Sequence, residues 1–225
     1  VDEIFKGFNH VVIKLYNDEV IIEPLKEEKE QQIAKSKAFS KTPTAIQIFA
    51  GGGTLVKALS DAGIKAVAAV ELEDKYLQSL EANNPNVTTY CGDLAKIDIS
   101  MLPKADMVVA GIPCEGYSQA QTKKSEKFEA HPTGSLGFYV LKIIDAIRPA
   151  VVLIEEVPNF KSSAMASMTR YVLDSMGYHI SETELVGSDY GSLTKRKRYC
   201  MVASIKKGFE FDDSLKKINT RTVRD

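Results

Sequence analysis

The chain has 225 residues, 44% of them apolar, which is enough to bury one hydrophobic core without a second large domain. Its formal net charge is −1, so the overall charge excludes a polycation that would bind nucleic acid through charge alone. No apolar stretch reaches the length of a membrane span and no signal peptide opens the sequence, so we expect no membrane partner. The three cysteines form no disulfide pattern and indicate a reducing location, the cytoplasm, with nucleoid association if the protein is bacterial.

Residues 1–44 differ in character from the rest of the chain. Two β-rich runs, 10–16 and 19–24, flank the turn-forming pair Asn17-Asp18 and predict a hairpin. Residues 26–40 are rich in Lys, Glu and Gln and predict a solvated helix or a linker. After this segment we expect a main domain at 45–211 and a basic tail or truncated continuation at 212–225. Residues 194–225 carry ten basic and four acidic side chains. This surplus of positive charge either binds phosphate groups or stays solvated.

From Ala45 onward, apolar runs typical of strands alternate with segments of helical periodicity. This alternation predicts an α/β fold, a doubly wound and mainly parallel sheet with helices on both faces. Methionines 165, 168 and 176 share one helical face, so we interpret them as core residues and predict no metal site. The predicted strands are 45–49, 67–71, 87–91, 106–111, 151–154, 178–186 and 198–205, and the predicted helices are 55–62, 76–80, 136–147 and 165–176.

The residues that follow the strands form the predicted site, because ligands bind beyond the carboxyl ends of parallel strands. The glycine turn 51–53 lets a ligand approach the backbone and the amides of the next helix. A dinucleotide fingerprint would need a third glycine at Val56, which disfavours a nicotinamide-dependent oxidoreductase. Glu71 is placed to accept hydrogen bonds from ribose hydroxyls, and Asp93 to accept one from an adenine amino group. The order of these acids favours an adenosine-containing ligand.

The loop 111–118, Gly-Ile-Pro-Cys-Glu-Gly-Tyr-Ser, places Cys114 after a proline at a strand end, as a nucleophile or as a small buried thiol. Together with 48–53, Glu71, 92–93, 155–157 and 194–198, this loop resembles, in order, six motifs of the cytosine-5 DNA methyltransferases that use S-adenosylmethionine. The resemblance implies a Rossmann-like methyltransferase fold, S-adenosylhomocysteine as a product, and a role in DNA methylation such as restriction-modification. It also implies cofactor contacts from Phe49, Ala50, Gly51, Gly53, Thr54, Glu71, Leu72, Asp93, Leu94 and Pro113.

The same resemblance implies the chemistry of the site. The thiolate of Cys114 would attack carbon 6 of a cytosine that has been flipped out of double-stranded DNA, and carbon 5 would then take the methyl group. Glu155 would hold ring nitrogen 3 and the exocyclic amine, which requires a proton on the carboxyl and predicts that burial raises its pKa. Arg198 would hold the cytosine 2-oxygen, and Arg196 and Arg198 would favour the thiolate. Lysines 123, 124 and 127 lie in a polar loop and either grip phosphate or keep the loop soluble.

The chain departs from the family pattern at three positions. Glu115 replaces a glutamine, Glu156 replaces the asparagine of Glu-Asn-Val, and Thr194 replaces the glutamine before the arginines. The two extra carboxylates oppose a thiolate and repel DNA unless they are protonated or paired, with Arg196 as one candidate partner. After residue 205 no room remains for a target-recognition domain, so we expect a missing segment, a partner or the N-terminal hairpin to read the DNA. An RNA cytosine methyltransferase and a catalytically idle homologue that binds S-adenosylmethionine or nucleic acid are the alternatives.

Overall fold

The computed structural model describes residues 42–113, 135–208, 211 and 216, and the backbone of 11–16 and 19–24. Within these ranges the main body is one seven-stranded sheet with helices packed against it. Each strand is a short apolar run, and each helix carries an apolar face that packs against the sheet. The α/β doubly wound architecture predicted from the alternation is confirmed.

The sheet has the order β5-β4-β3-β6-β7-β9-β8. Neighbouring strands from β5 to β7 pair in parallel, whereas β9 pairs antiparallel with both β7 and β8. The carboxyl ends of β3 to β7 therefore meet at one edge, and the amino end of β9 lies at that same edge. The strands of this sheet are β3 (Thr44–Ile48), β4 (Lys65–Glu71), β5 (Thr88–Cys91), β6 (Met107–Gly111), β7 (Val151–Glu156), β8 (His179–Val186) and β9 (Lys197–Ser204).

In the part of the chain that the structure describes, the α-helices between these strands are α1 (Thr54–Asp61), α2 (Asp74–Asn83), α3 (Leu136–Ile147) and α4 (Ala164–Ser175). Helices α3 and α4 pack closely, since a Cβ atom added at Gly137 would lie 2.5 Å from the sulfur of Met165. Met165 and Met176 are buried in the main core, which confirms their interpretation as core residues. Val56, the residue that breaks the dinucleotide fingerprint, is also buried.

The N-terminal hairpin predicted from the sequence is present as a separate two-stranded sheet. Strand β1 (Val11–Tyr16) pairs antiparallel with β2 (Glu19–Pro24), with Tyr16 opposite Glu19. The polar helix or linker predicted at 26–40 lies outside the described residues. The division into 1–44, 45–211 and 212–225 stays a prediction. None of the helices in the described ranges is long and apolar enough to cross a membrane.

Candidate active site

The turn after β3 is a tight backbone structure that leaves open space around its first glycine. Phe49 and Gly51 adopt left-handed conformations, with φ angles of 58° and 52°. The amide of Ala50 donates to the carbonyl of Val70 at 3.0 Å, and the amide of Gly53 donates to the carbonyl of Ala50 at 3.1 Å. A Cβ atom added at Gly51 would meet no atom within 4 Å, so a ligand has room to approach the backbone there.

Gly53 closes the turn and has a different role. Its φ angle is 90°, and a Cβ atom added there would lie 3.0 Å from Cγ of Leu80 and 3.2 Å from Nδ2 of Asn84. Helix α1 begins directly after it, and no side chain caps that end. The first amides of α1, beginning at Thr54, are therefore presented at the carboxyl edge of the sheet.

Glu71, at the end of β4, holds this turn in place. Its Oε2 accepts a hydrogen bond from the amide of Gly51 at 2.7 Å, and its Oε1 accepts from the amides of Leu72 at 2.9 Å and Glu73 at 3.1 Å. A carboxylate offers about four acceptor positions, so these bonds leave one for a ligand hydroxyl. The sequence predicted that Glu71 would accept hydrogen bonds from a ligand, but it did not predict that the amides of Gly51, Leu72 and Glu73 would donate to it.

Three further predicted cofactor residues lie beside Glu71. The amide of Gly92 donates to the carbonyl of Glu71 at 2.9 Å, which places Asp93 at the neighbouring strand end. One oxygen of Asp93 accepts from the amide of Ala95 at 3.0 Å. Leu72 is 59% exposed, an apolar surface at the edge where a ligand would lie, whereas Leu94 is buried in the main core. The side chain of Leu94 therefore supports the site from beneath.

An ion pair joins β7 and β9 at the same edge. Nε of Arg198 lies 2.6 Å from Oε1 of Glu155, with the two side chains 22% and 30% exposed. The antiparallel register places Cys200 opposite Glu155, which sets Arg198 diagonally across from the carboxyl. A Cβ atom added at Gly111 would lie 3.5 Å from Oε2 of Glu155, so the end of β6 packs against the same group. The structure thus joins two predicted catalytic residues that lie far apart in the sequence.

The burial predicted for Glu155 is found instead at its neighbour Glu156. Only 1% of Glu156 is exposed, whereas the carboxyl of Glu155 is partly open and paired with Arg198. Burial is the main cause that raises the pKa of Glu156 to about 7, and the charge of Glu155 adds to it. The amide of Val157, which donates to Oε2 at 2.6 Å, and the charge of Arg198 both oppose that rise. The expectation of a buried Glu155 was wrong because β7 turns alternate side chains to opposite faces.

The remaining predicted catalytic residues are not brought into this pair. Arg196 is exposed, and its backbone carbonyl accepts from the amide of Gly187 at 2.9 Å. Pro113 is the last described residue of the β6 end, and Cys114, Glu115 and lysines 123, 124 and 127 lie outside the described residues. Of the two described cysteines, Cys200 is buried, which raises the pKa of its thiol to about 11, and Cys91 is exposed at the end of β5.

Beneath the ion pair lies a polar network that the sequence did not predict. Tyr199 is fully buried and donates from its hydroxyl to Oε1 of Glu182 at 2.5 Å. Nε of Arg170, on α4, donates to the same oxygen at 2.6 Å, and Nη2 of Arg170 donates to the carbonyl of Lys161 at 2.7 Å. These contacts tie β8, β9 and α4 together and fix the strand that carries Arg198. No local motif marks them, because the partners lie on separate elements.

The glycine turn, Glu71 and the Glu155–Arg198 pair all lie within the part of the sequence that matches a known family. A family model described as C-5 cytosine-specific DNA methylase matches residues 44–224, and the chain belongs to that family.

Individual relatives agree with this assignment, and a solved structure shares the fold. The chain is 29% identical over 179 residues to the Type II methyltransferase M.MspI of Moraxella sp., covering 78% of this chain and 42% of that protein. It is 30% identical over 160 residues to the Type II methyltransferase M.DsaV of Dactylococcopsis salina, covering 70% of this chain and 44% of that protein. The solved S. pombe Dnmt2 methyltransferase shares the fold, with a TM-score of 0.62 and 19% identity over 75% of this chain and 53% of that one. The chain therefore spans about half the length of the proteins it matches.

Proposed function

We propose that this chain is the catalytic part of an enzyme that transfers a methyl group from S-adenosylmethionine to carbon 5 of cytosine in double-stranded DNA. The observation that carries the proposal is the Glu155–Arg198 pair at the carboxyl edge of the sheet, next to the strand end that leads into Cys114. Membership of the C-5 cytosine-specific DNA methylase family supports the reaction and the substrate. The Type II relatives support a role in restriction-modification.

The residues around the glycine turn fit S-adenosylmethionine. Gly51 leaves room for a ligand against the backbone, Glu71 keeps an acceptor position for a ribose hydroxyl, and Leu72 offers an exposed apolar surface to adenine. Asp93 lies at the next strand end, which supports a role as the acceptor of a hydrogen bond from the adenine amino group. When bound, S-adenosylmethionine supplies an electrophilic methyl group. The protein supplies the orientation of that group towards the base.

The proposed role of Cys114 is nucleophilic. Its thiolate sulfur would form a bond to carbon 6 of the cytosine, and the electron pair of the carbon 5–carbon 6 double bond would become available at carbon 5. That pair would bond the methyl carbon as the bond from the methyl carbon to the sulfonium sulfur breaks and S-adenosylhomocysteine leaves. A base then removes the proton from carbon 5, the double bond re-forms, and the sulfur leaves carbon 6. The pair of Glu155 and Arg198 holds the ring during this sequence, with Arg198 towards the 2-oxygen and Glu155 towards nitrogen 3 and the amine.

A methyl-transfer assay tests this proposal. The full chain is incubated with tritiated S-adenosylmethionine and unmethylated plasmid DNA, and in parallel with tRNA. We expect label in the DNA, loss of label in Cys114→Ser, and retained label in Cys91→Ser, a matched control because Cys91 is an exposed cysteine at a different strand end. Label in tRNA alone would replace the DNA proposal with an RNA methyltransferase.

A second experiment separates a catalytically idle protein from an enzyme whose target sequence is missing from the plasmid DNA. A duplex containing 5-fluorocytosine traps the covalent adduct, since fluorine at carbon 5 cannot leave as a proton does. We expect an adduct that resists denaturing electrophoresis and disappears in Cys114→Ser. Calorimetry should show binding of S-adenosylhomocysteine but not of NAD. Binding of S-adenosylhomocysteine with neither label nor adduct would indicate an idle cofactor-binding homologue.

A further inference from the structure

Glu156 is the only carboxylic acid among the buried residues that the structure describes; the other buried polar side chains include Gln47, Ser163, Thr169 and Ser204. Its Oε2 accepts the hydrogen bond from the amide of Val157. Its Oε1 is buried and has no hydrogen-bond partner within the described part of the chain. An ionised carboxylate with one oxygen unpaired in the core is much more costly than a neutral acid in the same place.

Arg198, the cation whose charge acts on this carboxyl, already has other partners. Arg198 binds Glu155 through Nε and donates through Nη1 to the carbonyl of Lys197 at 2.8 Å. Glu156 lies opposite Tyr199 on the other face of the sheet, so the ion pair and the buried acid are separated by the backbone of β7. Two adjacent glutamates therefore share the field of one guanidinium, and only one of them contacts it.

Among the residues that the structure describes, no second cation is paired with Glu156, since Arg170, which acts on the facing Tyr199, is paired with Glu182. From β9 it faces Tyr199, with Arg198 and Cys200 on either side of that residue, and its own strand supplies Glu155. The neighbouring strand end, from Met107 to Pro113, carries no titratable side chain. The turn that follows β7, Pro158–Ser162, carries Lys161, which is exposed.

We propose that Glu156 is a positioning residue that works as a neutral acid, so that Arg198 stays bound to Glu155 alone and the end of β7 keeps its shape. The position that carries asparagine in the resembling motif is thus filled here by a carboxylic acid that imitates an uncharged amide. Loss of the proton would place a second negative charge behind Glu155 and draw Arg198 away from the base-binding position. The consequence for catalysis depends on the proposed function, whereas the protonation of Glu156 does not.

The test compares Glu156→Gln, which is permanently neutral, with the unsubstituted chain across pH 5 to 9. Glu184→Gln is the matched control, because it removes the same charge from an exposed glutamate on β8. In the 5-fluorocytosine adduct assay, we expect the rate of Glu156→Gln relative to the unsubstituted chain to rise about tenfold per pH unit above pH 7. The ratio removes the shared effect of pH on the thiolate. The Glu184→Gln ratio should stay flat.

Carboxyl carbon-13 NMR of the unsubstituted chain reads the proton directly. We expect one glutamate signal that titrates near pH 7, is missing in Glu156→Gln and is retained in Glu184→Gln. If every glutamate titrates near pH 4 to 5, or if the rate ratio for Glu156→Gln stays flat, the proposal is overturned. Should Glu156→Gln fail to fold, Glu156→Asn takes its place, and the NMR titration of the unsubstituted chain still decides. Absence of any adduct in all variants would contradict the proposed function. The NMR titration alone would then decide whether Glu156 is protonated at neutral pH.

Discussion

Gly53 is a position where a single added methyl group should destabilise the protein through both backbone conformation and packing. In Gly53→Ala the new Cβ atom would lie 3.0 Å from Cγ of the buried Leu80, in a residue whose φ angle is 90°. The left-handed conformation costs an alanine about 1 to 2 kcal/mol. Overpacking against α2 adds about 1 to 3 kcal/mol. We therefore expect the free energy of unfolding to fall by about 2 to 5 kcal/mol.

Gly63→Ala is the matched control for this prediction. Gly63 has a φ angle of 76°, but a Cβ atom added there would meet nothing within 4 Å. The free energy of unfolding of Gly63→Ala should fall only by the cost of the left-handed conformation, about 1 to 2 kcal/mol. Urea denaturation followed by circular dichroism measures both, and the two midpoints should differ by about 1 M for a slope of about 2 kcal/mol per M. Equal losses in the two variants would refute the assignment of Gly53 to close packing against α2.

Three further predictions concern the strand ends. Glu155→Gln should lower methyl transfer by about 100-fold or more because it removes the partner of Arg198, and its free energy of unfolding should fall by only about 1 kcal/mol; a rate near that of the unsubstituted chain would count against the pair. Glu71→Gln should weaken S-adenosylhomocysteine binding about tenfold or more in calorimetry, because the charged acceptor of the Gly51 amide is lost; unchanged affinity would remove Glu71 from the cofactor site. The pKa of Glu156 is raised from 4.5 to about 7, so its stabilising effect is complete below pH 4.5 and is lost as the pH rises to 7. Urea denaturation at each pH should show a loss of about 3 kcal/mol over that window, absent in Glu156→Gln.

Local patterns were sufficient to predict the strands and helices. The apolar runs after Ala45 and the helical spacing of Leu136 to Ile147 correspond to observed elements within one or two residues at most ends. The glycine turn and Glu71 were also predicted at neighbouring strand ends, because parallel strands bring their carboxyl ends together. These features depend on short stretches of sequence, where the periodicity itself carries the information.

The contacts between strands were not predictable in the same way. Arg198 contacts Glu155 because β9 lies between β7 and β8 in the sheet. The sequence around either residue does not specify that pairing. The face to which Glu156 turns depends on the register of β7 against β9, so the sequence suggested burial at the wrong glutamate of the pair. The network of Tyr199 and Glu182 was missed for the same reason.

The insertion of β9 between β7 and β8 also bears on how the site arises during folding. Strand β8 is made before β9 but pairs only with β9, so β8 has no place in the sheet until the later strand has inserted. Residues 155 and 198 likewise meet only after that long-range closure. On the ribosome, the strands around the glycine turn can therefore pair while the side of the sheet that carries Arg198 is still incomplete. Under the proposed function, a nascent chain would gain its activity only after β9 is in place.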